Sequence, residues 1–419
     1  ILVQLYHIFP YIDGSFFLKN YFCLVLIHPH RYLLMEETEP KNDEVALIVG
    51  VTGMVGLTLA ETLKHNPSTS QWQVYGISRS PLPSWFPPSL LLQGHSICLD
   101  ALDRNDTALK LSPIADQVTH LFWVALQLTE SEETNISLNS TMLKNVLDVL
   151  VCCNTKNTPL RLRHVTIQTG TKHYLGPIFD SSLEGKLRRR DPPFREDSPR
   201  LPYPNFYHAL EDLVASYSEG YGFSYSVHRS SIIVGASTRS VHNTLLTLCV
   251  YAAICKDQGM PFRYPGNKYT WDHFCDMSDA RLLAEQHIWA ATSEKAKNQT
   301  FNSTNGDVFT WKSVWKVLCE VFELELEDEE SIETDEFDWV EAMNDKEYVW
   351  DEIVEKHGLF RTKLKEITCF GALGVVLNFK FQHVCSMNKS KEFGFLGYVD
   401  TLKGIRMWIG RLQAMKIVP

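Results

Sequence analysis

Residues 45–56 read VALIVGVTGMVG, and no other stretch limits the fold of this chain as strongly. Val45–Val49 is a short apolar, partly β-branched run, the right length for a strand buried on both faces of a parallel sheet. Gly50, Gly53 and Gly56 follow at GxxGxxG spacing, and Met54–His65 then carries apolar residues at helical spacing. Strand, tight glycine turn and helix form the first unit of a dinucleotide-binding fold. A Cβ at these glycines would keep the backbone from a pyrophosphate, and the amides that open the helix would face the phosphates. A glycine triplet alone is a weak signal, because any tight strand-to-helix turn can supply one. The flanking strand and helix are the context the motif requires.

The alternation continues downstream. Apolar runs at 72–77, 96–99, 118–125, 163–168 and 224–228 read as further strands, with helices expected at 135–151 and 204–221. Repeated β–α units imply an α/β class: a Rossmann-type doubly wound parallel sheet covered on both faces. Past Arg229 the rhythm breaks. Helices are expected at 243–256, at 278–291 with Ser278 as N-cap, at 311–322, and in three stretches of 339–419. The expected organisation is therefore a dinucleotide-binding domain over 41–229 and a mainly helical substrate-capping part over 230–419. Residues 323–338 hold ten acidic residues in sixteen and read as a solvated linker.

Residues 1–40 differ in character. The apolar run 16–27 is too short to span a bilayer, and no signal-peptide pattern is clear. We expect this segment to lie outside the fold, with Met35 as the natural start; a targeting peptide is the alternative. A net charge of −10 argues against nucleic acid as a partner. The ten cysteines include no CxxC pair, which excludes an obvious zinc site or disulfide framework and suits a reduced, cytoplasmic setting. We expect no bound metal and no membrane partner; a homodimer is left open.

Two places speak to chemistry. The strand expected at 72–77 runs into Ser78 and Arg79 with no acidic residue to hold a ribose 2′-hydroxyl. An arginine there suits a 2′-phosphate, which favours NADPH over NADH; the plainer reading of Arg79 is a surface charge. Asp100 ends the next strand, where the adenine amino group would lie, and could equally be a strand-end cap. After the strand at 163–168, Thr169-Gly170-Thr171-Lys172-His173-Tyr174 puts a lysine and a tyrosine at a carboxyl strand end, where open α/β sheets bind ligand. The Tyr-x-x-x-Lys helix pair of short-chain dehydrogenases is absent. Of sixteen tyrosines only Tyr264 has a lysine four residues on, across Pro-Gly-Asn, which cannot be helical. Tyr207 is followed at that spacing by Glu211.

A parallel sheet and glycine turn without the usual pair is a distinctive combination. From about Val45 to Pro419 the chain resembles the progesterone 5β-reductase/iridoid synthase-like family, a plant-typical branch of the extended short-chain dehydrogenases/reductases. The resemblance rests on GVTGMVG (50–56), QTGTKHYLGP (168–177), DPPFREDSPRL (191–201), NFYHALED (205–212), LCVYAAICK (248–256), FNSTNGDVFTWKSVWKVL (301–318) and SMNKSKEFGFLGY (386–398). It implies that Lys172 and Tyr207 are catalytic, that NADPH is the cofactor, and that the substrate is a small-molecule enone. The reaction would be reduction of its C=C bond, as for 3-oxo-Δ4 steroids, small enones or 8-oxogeranial. In that reading Tyr207 donates a hydrogen bond to the carbonyl oxygen as enolate charge develops, and Lys172 supports the charge. Without the resemblance, Tyr207 reads as a core tyrosine and Lys172 as a solvated loop lysine. The expected cofactor contacts are Gly50, Thr52, Gly53, Met54, Val55, Gly56, Ser78, Arg79, Asp100, Ala101, Val124, Thr169, Gly170, Tyr207 and Ile232; the expected substrate contacts are Leu126, Phe179 and Leu373.

The chain departs from the family pattern near the substrate. Ala125-Leu126 replaces a Thr-Trp pair, and His208 replaces the second tyrosine of NFYY. Arg229-Ser230-Ser231 replaces Arg-Pro-Gly, Ser80 replaces the second arginine of the cofactor turn, and Gly371-Ala372-Leu373 replaces an aromatic run. An insertion over 181–190 adds three arginines. Two bulky walls are lost, so the pocket should be enlarged or reshaped. Iridoid synthase activity on 8-oxogeranial, and a catalytically weak NADPH-binding protein, are the alternative readings.

Overall fold

The structure, a computed structural model, describes residues 44–94, 96–152, 160–180, 186–240, 242–326, 332 and 337–419. The expected extension over 1–40, the first half of the insertion and most of the acidic run lie outside the described residues. Residues 43–419 cluster as a single compact unit.

The strands are β1 (Val45–Val49), β2 (Gln73–Ser78), β3 (Ser96–Cys98), β4 (His120–Trp123), β5 (His164–Gly170), β6 (Ser224–Ser230), β7 (Ile232–Val234), β8 (Met277–Asp279) and β9 (Gln299–Ser303). Seven of them form one parallel sheet in the order β3-β2-β1-β4-β5-β6-β9. The chain winds outward from β1 to β3, then restarts at β4 on the other side of β1. Val49, the last residue of β1, is in register with Ile77 of β2 and Trp123 of β4. The switch of direction between β1 and β4 opens a crevice at the carboxyl ends of the strands, the place where doubly wound sheets take ligands.

β1 lacks polar residues because both its faces are covered. Ala46 and Ile48 join one apolar core, while Val45, Leu47 and Val49 join the other. The first core is shared with α1 (Met54–His65) and the second with α3 (Glu132–Cys152) and α5 (Phe206–Tyr221); α2 (Arg104–Leu111) lies between β3 and β4 in sequence, and the single-turn α4 (Lys172–Leu175) follows β5. Downstream come α6 (Thr244–Gln258), α7 (Lys268–Asp272), α8 (Ala280–Thr292), α9 (Trp311–Phe322), α10 (Trp339–Asn344), α11 (Glu347–His357), α12 (Leu364–Ile367), α13 (Phe370–Leu377), α14 (Asn388–Glu392) and α15 (Thr401–Ala414). α6 is buried all round from Thr244 to Cys255, the mark of a central helix. α9, α11 and α15 pack around it.

The second half departs from expectation in four ways. β7 and β8 pair in parallel as a small separate sheet. β9, from 299–303, supplies the outer strand of the main sheet beyond β6. Its sequence, QTFNS, is mostly polar, but Asn302 is fully buried and its amide donates to the carbonyl oxygens of Phe194 and Ser386. α8 is capped by Asp279, whose Oδ1 accepts the Arg281 N–H at 2.8 Å, and not by Ser278. Ser278 sits in β8 and spends its hydroxyl on the Ser303 carbonyl oxygen at 2.6 Å. Where three helical stretches were expected over 339–419, six short helices are described. Of the acidic run, Ile332 and Phe337 pack against the larger core.

Among the described residues no helix is long and apolar enough to cross a membrane, and no group of three His, Cys, Asp or Glu side chains could hold a metal ion. The described cysteines are free.

Candidate active site

The glycine turn after β1 uses its three glycines for three reasons. Gly50 has φ +96°, a backbone region that disfavours side chains. A Cβ on Gly56 would stand 2.1 Å from the Gly50 carbonyl oxygen and 2.7 Å from Val51 Cα, so only glycine lets α1 start this close to the turn. Gly53 is different. A Cβ there would meet nothing closer than the Gly50 oxygen at 3.4 Å and Ser240 Oγ at 3.6 Å. Packing does not demand a glycine at that position, while close approach of a phosphate would.

Leu57 is the first residue of α1 whose N–H reaches an intrahelical carbonyl, that of Gly53 at 2.9 Å. The Met54 N–H donates to Ser240 Oγ at 2.8 Å, and Ser237 Oγ donates to the Thr52 carbonyl oxygen at 2.8 Å. Val55 and Gly56 have amides with no hydrogen-bond partner among the described residues. Ser237 and Ser240, nearly two hundred residues downstream, were not anticipated from the sequence. Nothing in their local pattern marks them.

At the rim, Arg79 is exposed just beyond β2, and the only hydrogen bond of its guanidinium among the described residues is a long one, 3.5 Å to Gln127 Oε1. Ser78 is buried; its hydroxyl donates to the Ser80 carbonyl oxygen at 2.8 Å and lies 3.2 Å from Ser96 Oγ, so it is engaged within the turn. Asp100 is exposed, with Oδ1 accepting the Leu102 N–H at 3.0 Å. Buried Ala101 offers its carbonyl oxygen to Asn145 at 2.9 Å. The Val124 N–H donates to the Val49 carbonyl oxygen, and a Cβ on Gly50 would lie 3.1 Å from the Val124 carbonyl carbon. Ile232 is half-buried in β7 against the larger core.

The second part of the site gathers at the end of β5. A Cβ on Gly170 would lie 3.2 Å from Tyr207 Cε2 and 3.3 Å from its hydroxyl, so the phenol rests directly on the strand end. Asn205 starts α5 by accepting the Tyr207 N–H at 3.0 Å, which fixes the tyrosine in the first helical turn. No described residue hydrogen-bonds the Tyr207 hydroxyl. Burial, and then the Glu132 charge, hold the phenol above its ordinary pKa, so it is a protonated donor at neutral pH. Thr169 Oγ1 next door is buried with no partner.

Lys172 opens α4 two residues past Gly170. Its ammonium pairs with Glu132 Oε2 and stands 5.2 Å from the Phe206 ring centre. Glu132 Oε1 accepts the Phe206 N–H at 2.7 Å. One carboxylate from the start of α3 thus joins the lysine to the start of the tyrosine helix. The sequence did not point to this bridging residue, because nothing near Glu132 marks it and α3 was expected to begin after it.

Neighbouring polar groups are spoken for. Glu211, four past Tyr207, forms a buried two-oxygen pair with Arg229 at 3.1–3.2 Å. Tyr174 donates to Asn302 Oδ1 at 2.6 Å and stacks on Phe194, which places it in the interior. Ser231, where the family pattern has glycine, donates to Asp276 Oδ1 at 2.6 Å. It lies 3.2 Å from His383 Nδ1, and His383 Nε2 is 2.9 Å from Thr171 Oγ1. Burial lifts Asp276 to about 7. Of the expected substrate contacts, Leu126 is half-buried just past β4 and Phe179 is 53 % exposed, its ring edge-on to His242 at 6.1 Å. Leu373 is 2 % exposed and packed in the larger core.

Residues 96–419 match the family described as the PRISE-like Rossmann-fold domain. The chain is 43% identical to a 3-oxo-Delta(4,5)-steroid 5-beta-reductase of Arabidopsis thaliana over 92% of its own length and 96% of the relative's. It is 44% identical to an (S)-8-oxocitronellyl enol synthase of Nepeta racemosa over the same shares, and 43% identical to another of Camptotheca acuminata, again over 92% and 96%. Among solved structures, a UDP-glucose 4-epimerase aligns with a TM-score of 0.60 at 15% identity, covering 90% of this chain and 99% of that one, a likeness of fold alone. With a Rossmann sheet, a glycine turn, and a lysine and a tyrosine in place at the end of β5, the chain belongs to the PRISE family of extended short-chain dehydrogenase/reductase-like proteins.

Proposed function

We propose that this protein is an NADPH-dependent reductase of the C=C bond of α,β-unsaturated carbonyl compounds. The observation that carries the reading is the Tyr207 hydroxyl: kept protonated, without a partner among the described residues, and seated on the end of β5, the strand that Lys172 follows. The residues fit a dinucleotide. Gly53 leaves a space that a Cβ would fill, and among the described residues the Val55 and Gly56 amides and the buried Thr169 Oγ1 have no partner. Arg79, exposed beyond β2, would hold a 2′-phosphate, which is why we favour NADPH over NADH.

Bound there, the reduced nicotinamide supplies the hydride that the β-carbon of the enone accepts. Tyr207 hydrogen-bonds the carbonyl oxygen, and the bond strengthens as negative charge moves onto that oxygen. Lys172 is already neutralised by Glu132, so its main work is to fix the site around the phenol, with its charge as a support. The mixed names of the relatives leave the enone itself to experiment.

The test is NADPH consumption against a steroid 3-oxo-Δ4 enone, 2-cyclohexen-1-one, methyl vinyl ketone and 8-oxogeranial, with NADH as control. Turnover lost in Tyr207→Phe supports the reading. A Tyr207→Phe enzyme as fast as the parent overturns the mechanism. Tight NADPH binding without turnover of any enone moves the weight to a non-catalytic NADPH-binding protein.

A further inference from the structure

His208 stands where the family pattern has its second motif tyrosine, and it does not point idly. Its Nε2 lies 3.1 Å from His173 Nδ1, and His173 Nε2 lies 3.1 Å from the Ser198 carbonyl oxygen. The two rings meet edge to face, 5.0 Å between centres. A carbonyl oxygen can only accept, so His173 carries its proton on Nε2 and presents a lone pair at Nδ1. His208 must then carry its proton on Nε2 and donate it. The direction of the chain is fixed: His208 to His173 to Ser198.

His173 follows Lys172 on α4, and His208 follows Tyr207 on α5. Building on the enone-reductase reading, we propose that the His208–His173 hydrogen bond is a positioning tie that holds the lysine turn against the start of the tyrosine helix. It is a second tie beside Glu132, and the donor is this chain's own.

Burial, helped by the nearby arginines, keeps the pair neutral. Arg200 comes from the segment before α5, Arg229 from β6, and Glu211 and Asp212 from α5 itself. Arg229 is taken by Glu211, and Arg200 binds both oxygens of Asp212 at 2.7 and 2.8 Å and reaches Glu211 at 3.4 Å. Both carboxylates are thus paired with arginines, and their pull toward an imidazolium at His208 is outweighed by burial and Arg200. Burial, then Arg229, lowers His173 to about 3, and burial, then Arg200, also lowers His208. A proton on His173 Nδ1 would set two donors against each other, but none arrives near neutral pH. The tie is therefore permanent under assay conditions.

His208→Phe keeps a ring and removes the donor; His208→Gln keeps a donor at about the same reach. His208→Phe should lower kcat roughly tenfold with the KM for NADPH unchanged, because a loosened tyrosine turn misplaces the reacting groups and not the cofactor. His208→Gln should recover most of the parent's kcat. Equal kcat in His208→Phe and the parent, or equal impairment of the Phe and Gln variants, overturns the tie. A readout independent of turnover uses ¹⁵N-histidine-labelled protein: an N–N coupling across the bond from His208 Nε2 to His173 Nδ1, lost in His208→Phe. Its absence in the parent also overturns the proposal. Should the parent reduce no enone, the reductase reading fails while the coupling still decides the tie.

Discussion

The two ends of the crevice are built on opposite principles. The glycine turn after β1 is mainly a backbone device, buttressed by the Ser237 and Ser240 hydroxyls and shaped by what cannot be there: a Cβ on Gly56, or an ordinary φ at Gly50. The end of β5 is a side-chain device. Glu132, Lys172, Asn205, Tyr207 and His208 come from three helices and the residue that caps one of them, and none works without the others' placement. The first kind of site is written in seven consecutive residues. The second exists only once the sheet has brought distant segments together, so its positions can change while the architecture stays.

The contrast predicts where stability and activity separate. At the reacting end, Tyr207→Phe removes a hydroxyl that no described residue bonds, so the fold should lose nothing measurable. The rate should fall on the order of 10²–10³-fold, the usual effect of removing one donor to a developing oxyanion. Matched melting curves beside kcat values check both halves, and a variant that loses stability in proportion to activity would erase the distinction. At the cofactor end the order reverses. Gly56→Ala forces a Cβ against two backbone atoms that cannot swing aside, and should cost about 3 kcal/mol of stability or prevent folding. Gly53→Ala has room, so it should melt like the parent and weaken NADPH binding instead. Denaturant unfolding with a binding titration on the same samples tells the two glycines apart.

This division also explains what could be read from the sequence. β1 was legible because an uninterrupted apolar run with both faces covered has few other homes, and the glycine turn because its spacing is local. β9 was not, because Asn302 is buried for its hydrogen bonds and not for any apolar character. Asp279 displaced Ser278 as a cap because the serine hydroxyl was claimed by a tertiary contact invisible along the chain. Lys172 stood out by its place at a carboxyl strand end, but its pairing with Tyr207 came only through the family resemblance, because the two lie 35 positions apart and no spacing rule links them. Leu373, expected at a pocket wall, is buried among the residues of the larger core. Glu132 and the His173–His208 pair were silent for the same reason as β9, being defined by partners and not by pattern.

Glu132 gives a finer test of the reacting end. Glu132→Gln keeps an oxygen for the Phe206 N–H but withdraws the charge that Lys172 pairs with and that helps hold the Tyr207 phenol protonated. We expect kcat to fall roughly tenfold through misplacement of the lysine. The sign of the pH effect follows. A nearby negative charge raises the phenol pKa, so removing it lowers that pKa, and the alkaline limb of the rate profile should move to lower pH. A limb that stays put would assign Glu132 to the lysine alone.

The smallest expected effect lies where the cofactor end presents a charged side chain. Arg79 is exposed, and among the described residues its guanidinium is held only by a long contact to Gln127, so it is available to a 2′-phosphate at little cost to the fold. Solvent screening limits what an exposed charge contributes, and Arg79→Ala should weaken NADPH binding by about 1 kcal/mol, roughly fivefold. NADH, which has no phosphate at that position, should bind both proteins equally. Titrating each cofactor into each protein closes a cycle in which the glycine turn is common to all four measurements. Equal losses for NADPH and NADH would mean that Arg79 supports the turn itself. A loss confined to NADPH would place cofactor choice in a single side chain at the rim of a largely backbone-built turn.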